Sequence, residues 1–216
     1  MSAAADPGRV PHPGLPGLLL AEGERFGDRA ESWPVRASRT PYASSFVDVV
    51  LDEVATPEGG AIHRTTVRHA DAVGIVVQDD EGRVLLLEQY RHPVRHRLVE
   101  LPAGLLDIEG EAPRDAAARE LAEEADLVAS SWESLVTLRS SPGFTDERVE
   151  VFLARGLEPV SDDARTERLD EEADMTAVWV PLEEAVAAVL DGRITNSLAV
   201  AGLLACFVSA RGGARA

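Results

Sequence analysis

The sequence predicts an α+β sandwich in which helices cover both faces of a mixed sheet. Apolar runs of strand length recur along the chain and are separated by clusters of turn residues. Three helical patterns follow or interrupt these runs: one is acidic, one is amphipathic and one is apolar around most of its circumference. With 216 residues, the chain is long enough for one domain with embellishments and a sizeable core.

The chain is expected to have three parts. Residues 1–33 are rich in proline, glycine and charge without a sustained period, which predicts a disordered or loosely packed arm. Residues 34–69 predict an N-terminal β-hairpin region, because the apolar and β-branched run that starts at Phe46 reaches a turn at 56–60 and then resumes. Residues 70–212 form the main domain.

Strands in the main domain are predicted from apolar runs at 72–79, 84–91, 97–101, 132–138, 148–154 and 175–180. A long acidic connection is expected over 155–174. Pro181 opens the amphipathic helix, Gly192 ends it, and Asn196 or Ser197 caps the last helix. The residues of the amphipathic helix expected to face inward are Leu182, Val186, Val189 and Leu190.

Composition limits the possible partners. Lysine and arginine total 21 against 38 aspartates and glutamates, a net charge of −17, which argues against a nucleic-acid or anionic-membrane surface. The single Cys206 excludes an intramolecular disulfide and a cysteine-based zinc ribbon. No signal sequence is evident, and the apolar segment 198–208 is too short to span a bilayer, so a cytoplasmic protein is expected.

The acidic helix is predicted to begin at Pro113, and its glutamates carry the first functional hypothesis. At 100° per residue, Glu120, Glu123 and Glu124 share one edge. The residues expected on the far side are Leu121, Ala118, Ala122 and Ala125. Like charges at this spacing repel, so a divalent cation such as Mg²⁺ is their natural partner. The alternative is a solvated charged face.

The loop before this helix favours the metal hypothesis. Glycines at 104 and 110 allow a tight turn that leaves the carbonyl of Ala103 free to point at the same metal. Residues 101–127 resemble the Nudix box, a Gly, five residues, Glu, seven residues, then Arg-Glu-apolar-x-Glu-Glu-x-Gly-apolar. The matching residues are Gly104, Glu111, Arg119, Glu120, Leu121, Glu123, Glu124 and Leu127.

Two positions depart from the box. Six residues, not five, separate Gly104 from Glu111, and the extra residue falls in the loop before the helix. Asp126 stands where the pattern has glycine. Because glycine at a helix end usually takes the left-handed conformation, we expect Asp126 to carry a modest local cost without loss of the site.

The flanking segments narrow the resemblance to the ADP-ribose pyrophosphatase branch of the Nudix hydrolases. They are EQYRHPVRHRLVELPAGLLD, SPGFTDE, DEEADM and NSLAVAG. This implies hydrolysis of the pyrophosphate bond of ADP-ribose, or a close ADP-sugar, to AMP and ribose 5-phosphate, with Mg²⁺ or alternatively Mn²⁺ as cofactor. Other hypotheses are a Nudix hydrolase of a nucleoside triphosphate, NADH or a GDP-sugar, and a catalytically silent nucleotide sensor.

The resemblance also implies the roles of the metal and base residues. Glu120, Glu124 and the Ala103 carbonyl hold the metal, and Glu123 adds a further oxygen. Glu172, with Glu171 as the adjacent candidate, is the catalytic base; the alternative is that both belong to a solvated acidic linker. Arg119 is expected to orient a carboxylate.

Further residues are implied to bind substrate. Arg91 forks onto a phosphate, with a surface ion pair as the alternative. Arg64, together with Trp33, reaches the site of a partner subunit, because this branch forms homodimers with shared sites. The other implied contacts are Glu100, Phe144, Thr145 and Asp146; a tight turn is the alternative for the last three.

Overall fold

The computed structural model describes residues 8–161, 163, 165 and 174–212. Within these ranges the strands are β1 (Val10–Pro11), β2 (Leu18–Leu19), β3 (Val35–Ala43), β4 (Asp48–Ala55), β5 (Ala61–Arg68), β6 (Ala72–Val77), β7 (Arg83–Arg91), β8 (His96–Glu100), β9 (Ala103–Leu105), β10 (Leu127–Arg139), β11 (Arg148–Pro159) and β12 (Thr176–Pro181). The helices are α1 (Pro113–Ala125), α2 (Leu182–Leu190) and α3 (Ser197–Ala210). None of the described helices is long and apolar enough to cross a membrane.

The chain divides into two compact units, and the first comprises Met1–Pro41 and Val50–Thr65. Strands β1 and β2 pair antiparallel within the arm that was expected to lack regular structure. In the three-stranded sheet β3-β4-β5, the predicted hairpin corresponds to β4 and β5. The turn between them is closed by the Thr56 N–H, which donates to the Gly60 carbonyl. Strand β3 was not predicted, and all nine of its residues are exposed.

The second unit, Tyr42–Val49 and Thr66–Ala216, holds the main sheet, whose strand order is β10-β11-β6-β9. Strand β6 runs parallel to β11 and antiparallel to β9, so the predicted mixed sheet is confirmed. A second sheet has the order β12-β7-β8 and is antiparallel throughout.

Strand β6 lies at the centre of the core, and all six of its residues are buried. Successive side chains of a strand point to opposite faces. Val73, Ile75 and Val77 pack with the buried face of α1, whereas Val76 packs with residues of α2 and α3. Helices therefore cover both faces of the sheet, and the predicted fold class is confirmed.

Two local predictions were wrong. Strand β11 continues to Pro159 because β10 pairs with it along its whole length, so the connection expected to begin at residue 155 starts later. Leu190 is 74% exposed. The buried residues of α2 are Leu182, Ala185, Val186 and Ala188, so the inward positions predicted for Leu182 and Val186 are confirmed.

The end of α1 takes the conformation that the sequence predicted. Asp126 has φ 54° and ψ 35°, in the left-handed region, and its N–H donates to the Leu121 carbonyl. Glycine adopts this conformation without a Cβ clash, and Asp126→Gly also removes a negative charge from the negative end of the helix dipole.

We expect Asp126→Gly to raise the free energy of unfolding by about 1 kcal/mol, measured by chemical denaturation. The matched variant Asp126→Ala keeps the Cβ and loses the charge, and it should gain less than Asp126→Gly. A glycine variant less stable than the parent protein would contradict the explanation.

Candidate active site

A cleft of about 640 Å³ opens in the second unit. Strand β9 and helix α1 form one wall, strands β7 and β8 contribute another, and the beginning of α3 faces it. Predicted site residues that line this cleft are Arg91, Glu100, Ala103, Glu120 and Glu124. The cleft therefore brings arginine and glutamate side chains of distant segments into one cavity.

Helix α1 presents its glutamates differently from the helical-wheel expectation. Its fully buried residues are Ala116, Ala117 and Leu121, so the buried face is rotated toward the glutamates. Of the residues expected on the far side of the helix, only Leu121 is among these buried residues. Because of this rotation, Glu124 points at the edge of the sheet, where its Oε2 accepts a hydrogen bond of 2.8 Å from the Ala103 N–H.

Glu120 lies against the backbone of β9. A Cβ added to Gly104 would lie 1.9 Å from Cδ of Glu120, so only glycine leaves room for this carboxylate. The side chain of Glu120 is 13% exposed. The glycine of the motif is thus required by a close approach between strand and side chain.

The carbonyl of Ala103 faces the same side as its N–H. The Ile75 N–H donates to the Pro102 carbonyl, and bonded and non-bonded pairs alternate in an antiparallel ladder. Ala103, opposite Gly74, is therefore in a non-bonded pair. Since β9 is the edge strand, the backbone polar groups of Ala103 point away from the sheet, toward the side where Glu124 lies.

Arg119 connects three carboxylates. Its Nε and Nη2 donate to Glu111 at 3.1 Å each, and its Nη1 donates to Glu120 at 2.6 Å and to Glu123 at 3.1 Å. These hydrogen bonds, chiefly those with Glu111, raise the pKa of Arg119. The hydrogen bonds between Arg119 and Glu111 also lower the pKa of the Glu111 carboxyl below its ordinary value. Arg119 therefore holds the carboxylates in place and keeps Glu111 ionised.

The residues around Ala103 have the donor chemistry of a magnesium site. Carboxylate and backbone carbonyl oxygens are the ligands that Mg²⁺ prefers. Within the described ranges, no three His, Cys, Asp or Glu side chains are already grouped for a metal. Arg119 contacts oxygens of Glu120 and Glu123, and the Ala103 N–H contacts Glu124. Cation binding would therefore replace part of the contact that Arg119 makes.

Arg91 and Glu100 form one ion pair on the cleft wall. Nε of Arg91 donates to Oε1 of Glu100 at 3.0 Å, and Nη2 donates to Oε2 at 2.7 Å. Glu100 is 5% exposed, whereas the side chain of Arg91 is 44% exposed. The buried carboxylate thus fixes a guanidinium that still reaches the cavity.

The middle of the loop at 140–147 lies outside the cleft in which its residues were predicted to bind substrate. Phe144, Thr145 and Asp146 do not line the cleft. Thr145 forms a β-bridge to Val67, and the side chain of Asp146 lies 3.6 Å from that of Arg68. The cleft is lined instead by Ser140 and Glu147, at the two ends of this loop.

Of the four remaining predicted residues, two cannot be placed and two line a different cleft. Glu171 and Glu172 are outside the described residues. Arg64 and Trp33 line a separate cleft of about 490 Å³ in the first unit. The structure therefore places these two on one surface of the first unit, together with Glu31.

Several residues of the cleft wall were not predicted from the sequence. They include Phe46, His69, Gln89, Glu147 and Asn196. Asn196 was expected only as a helix cap, and it does accept a hydrogen bond from the Ala199 N–H. The motif SPGFTDE contains Glu147, but no local pattern indicates that this side chain, and not its neighbour, faces the cavity.

Two known proteins are similar to most of this chain. The chain is 49% identical over 169 residues to the ADP-ribose pyrophosphatase of Mycobacterium tuberculosis, covering 78% of this chain and 80% of that protein. It is 35% identical over 145 residues to the ADP-ribose pyrophosphatase of Bacillus subtilis, covering 67% and 76%.

A solved structure described as an ADP compounds hydrolase has the same fold. It superposes with a TM-score of 0.66 at 21% identity and covers 87% of this chain and 100% of that one. The model of the NUDIX domain matches residues 68–199, which include the glycine loop, α1 and every residue of the cleft lining except Phe46. On these grounds the chain belongs to the Nudix family of hydrolases.

Proposed function

We propose that this protein hydrolyses the pyrophosphate bond of ADP-ribose, or of a close ADP-sugar, to AMP and ribose 5-phosphate. The observation that carries the proposal is the packing of Glu120 and Glu124 against Gly104 and Ala103 in a cleft that also presents Arg91. The choice of substrate is supported by the two relatives named ADP-ribose pyrophosphatase.

Mg²⁺, with Mn²⁺ as the alternative, is the proposed cofactor. Glu120, Glu123, Glu124 and the Ala103 carbonyl would hold it, since their oxygens suit a hard cation. When bound, the cation neutralises the charge of the diphosphate and lowers the pKa of a water molecule.

The chain's own residues supply the remaining steps. The oxygen of a water molecule forms a bond to one phosphorus, and the bond from that phosphorus to the bridging oxygen breaks, which yields the two monophosphates. Glu172, or its neighbour Glu171, would take the proton from that water. Arg91 would bind a phosphate oxygen, and Glu100 would hold its guanidinium in position.

The remaining substrate contacts stay proposals from the family resemblance. Phe144, Thr145 and Asp146 would need the loop to turn toward the cleft, since they now contact neighbouring segments. Arg64 and Trp33 would act on the site of the second subunit of a homodimer. The shared surface that the two residues line in the first unit supports this assignment. A cytoplasmic location and the lack of nucleic-acid or membrane partners also stay predictions.

A substrate panel with and without Mg²⁺ tests the proposal. We expect AMP release from ADP-ribose in the presence of Mg²⁺, loss of release with a chelator, and slower turnover of a nucleoside triphosphate, NADH and a GDP-sugar. Faster turnover of one of those compounds would reassign the substrate. Tight binding of ADP-ribose without turnover would instead favour a silent sensor.

A further inference from the structure

His69 lines the cleft and carries one buried hydrogen-bonding atom. Its Nδ1 is buried and has no hydrogen-bond partner among the residues that the structure describes. On the other side of the ring, Nε2 lies 3.6 Å from Oε1 of Glu147, and both side chains are only 17% exposed. Both residues line the cleft that holds Glu120 and Glu124.

The imidazole ring is held in a fixed orientation. Phe46 stacks on it with ring centroids 6.1 Å apart and an interplanar angle of 11°. The carboxylate of Glu147 lies beside Nε2, so Nδ1 is on the side of the ring away from Glu147. A fixed and unpaired buried atom is uncommon in native structures, because leaving such an atom without a partner costs free energy.

The chemistry of the pair indicates what this atom would bind. The carboxylate of Glu147 beside Nε2 favours the tautomer that has its proton on Nε2, and in that tautomer Nδ1 is an acceptor. An acceptor binds a hydroxyl or amine donor and repels the oxygens of a phosphate. The wall around His69 therefore suits a sugar hydroxyl.

The strand that follows His69 pairs with the strand that carries the proposed metal-binding edge. Ala72, three residues after His69, pairs with Leu105 of β9 and with Val149 of β11, and all three line the cleft. Neighbouring strands lie about 4.8 Å apart, so β9 and β11 are separated by about 10 Å. A sugar joined directly to a diphosphate held at β9 would lie over β6 and β11.

We propose that His69 is a substrate-binding residue whose Nδ1 accepts a hydrogen bond from a hydroxyl of the sugar attached to the diphosphate. Glu147 is the positioning residue that orients the imidazole. This inference rests on the proposed hydrolase function and adds to it the recognition of a hydroxylated sugar. ADP-ribose contains two such sugars, and substrates that lack hydroxyls on one or the other distinguish them.

The test compares His69→Phe with the parent protein on three substrates. Phenylalanine keeps an aromatic ring beside Phe46 and removes the acceptor. The substrates are ADP-ribose, its 2′,3′-dideoxyadenosine counterpart, and an ADP alkyl ester in which a sugar-free chain replaces the distal ribose. We expect His69→Phe to lower kcat/KM for ADP-ribose about tenfold, mainly through KM, which corresponds to one lost hydrogen bond.

The pattern across substrates identifies the sugar. On the substrate that already lacks the recognised hydroxyl, His69→Phe should not lower kcat/KM. In the His69→Phe background, Glu147→Gln should lower kcat/KM little further. His69→Gln, which retains an acceptor oxygen, serves if the phenylalanine variant folds poorly, and it should keep part of the preference for the hydroxylated substrate. His96→Phe, at an exposed histidine outside the cleft lining, is the matched control.

Equal losses on all three substrates, or no loss on any, would overturn the inference. Failure of the proposed function would look different, because the parent protein would then not release AMP from ADP-ribose in the first measurement.

Discussion

Glu124→Gln is expected to lower kcat for ADP-ribose by about two to three orders of magnitude. The variant removes a negative charge at the edge where Glu120 and the Ala103 carbonyl complete the proposed cation site. Its side-chain oxygen still accepts the hydrogen bond from the Ala103 N–H, so the fold should be retained. Steady-state kinetics across Mg²⁺ concentrations, together with thermal unfolding, measure the two effects separately.

The matched control for this variant is Asp115→Asn. Asp115 lies in the first turn of the same helix, and its side chain is 67% exposed. This substitution removes an equal charge from α1 without touching the cleft, so kcat should stay near that of the parent protein. If Glu124→Gln retained full activity, the assignment of the metal site to this edge would be wrong.

Gly104→Ala is expected to abolish most activity with a small loss of stability. The new Cβ would lie 1.9 Å from Cδ of Glu120, and the side chain of Glu120 is flexible enough to swing away. The swing relieves the clash but moves a proposed metal ligand out of position. We expect kcat to fall about a hundredfold or more, as for loss of a key charged group, and the free energy of unfolding to fall by about 1–3 kcal/mol.

Gly27→Ala is the control, because a Cβ at Gly27 would meet open space and its φ is not in the left-handed region. Activity and stability should both be unchanged there. A fully active Gly104→Ala variant would show that Glu120 need not occupy the position next to β9. Loss of the folded state in Gly104→Ala would show that the contact between Glu120 and β9 is needed mainly for stability.

Local signals in the sequence were enough for the ends of the helices. Pro113 begins α1, Asp126 takes the left-handed conformation at its end, and Asn196 caps α3. Each of these depends on a few neighbouring residues whose backbone preferences act alone. The spacing of the glutamates is a local signal of the same kind, and it identified the acidic helix as the centre of the site.

The rotation of α1 could not be predicted in this way. Ala116 and Ala117 are buried because the helix lies against Val73 and Ile75, and that packing depends on the whole sheet. A helical wheel ranks residues by hydrophobicity and cannot tell which of several alanines faces the sheet.

Contacts that form only through strand pairing were not predicted. Arg91 reaches Glu100 because β7 and β8 pair. His69 and Glu147 come together because they precede β6 and β11, two parallel strands that are distant in sequence. Sequence separation hides such pairs, and the residue that faces the cavity is decided by the register.

The short edge strand β9 has a consequence for the solubility of the protein. An open sheet edge exposes backbone donors and acceptors that can recruit a strand from another molecule and start aggregation. Here the edge is only three residues long, and the carboxylate of Glu124 takes up the donor of Ala103. The helix that carries the acidic motif thereby also protects this edge of the main sheet against intermolecular strand addition.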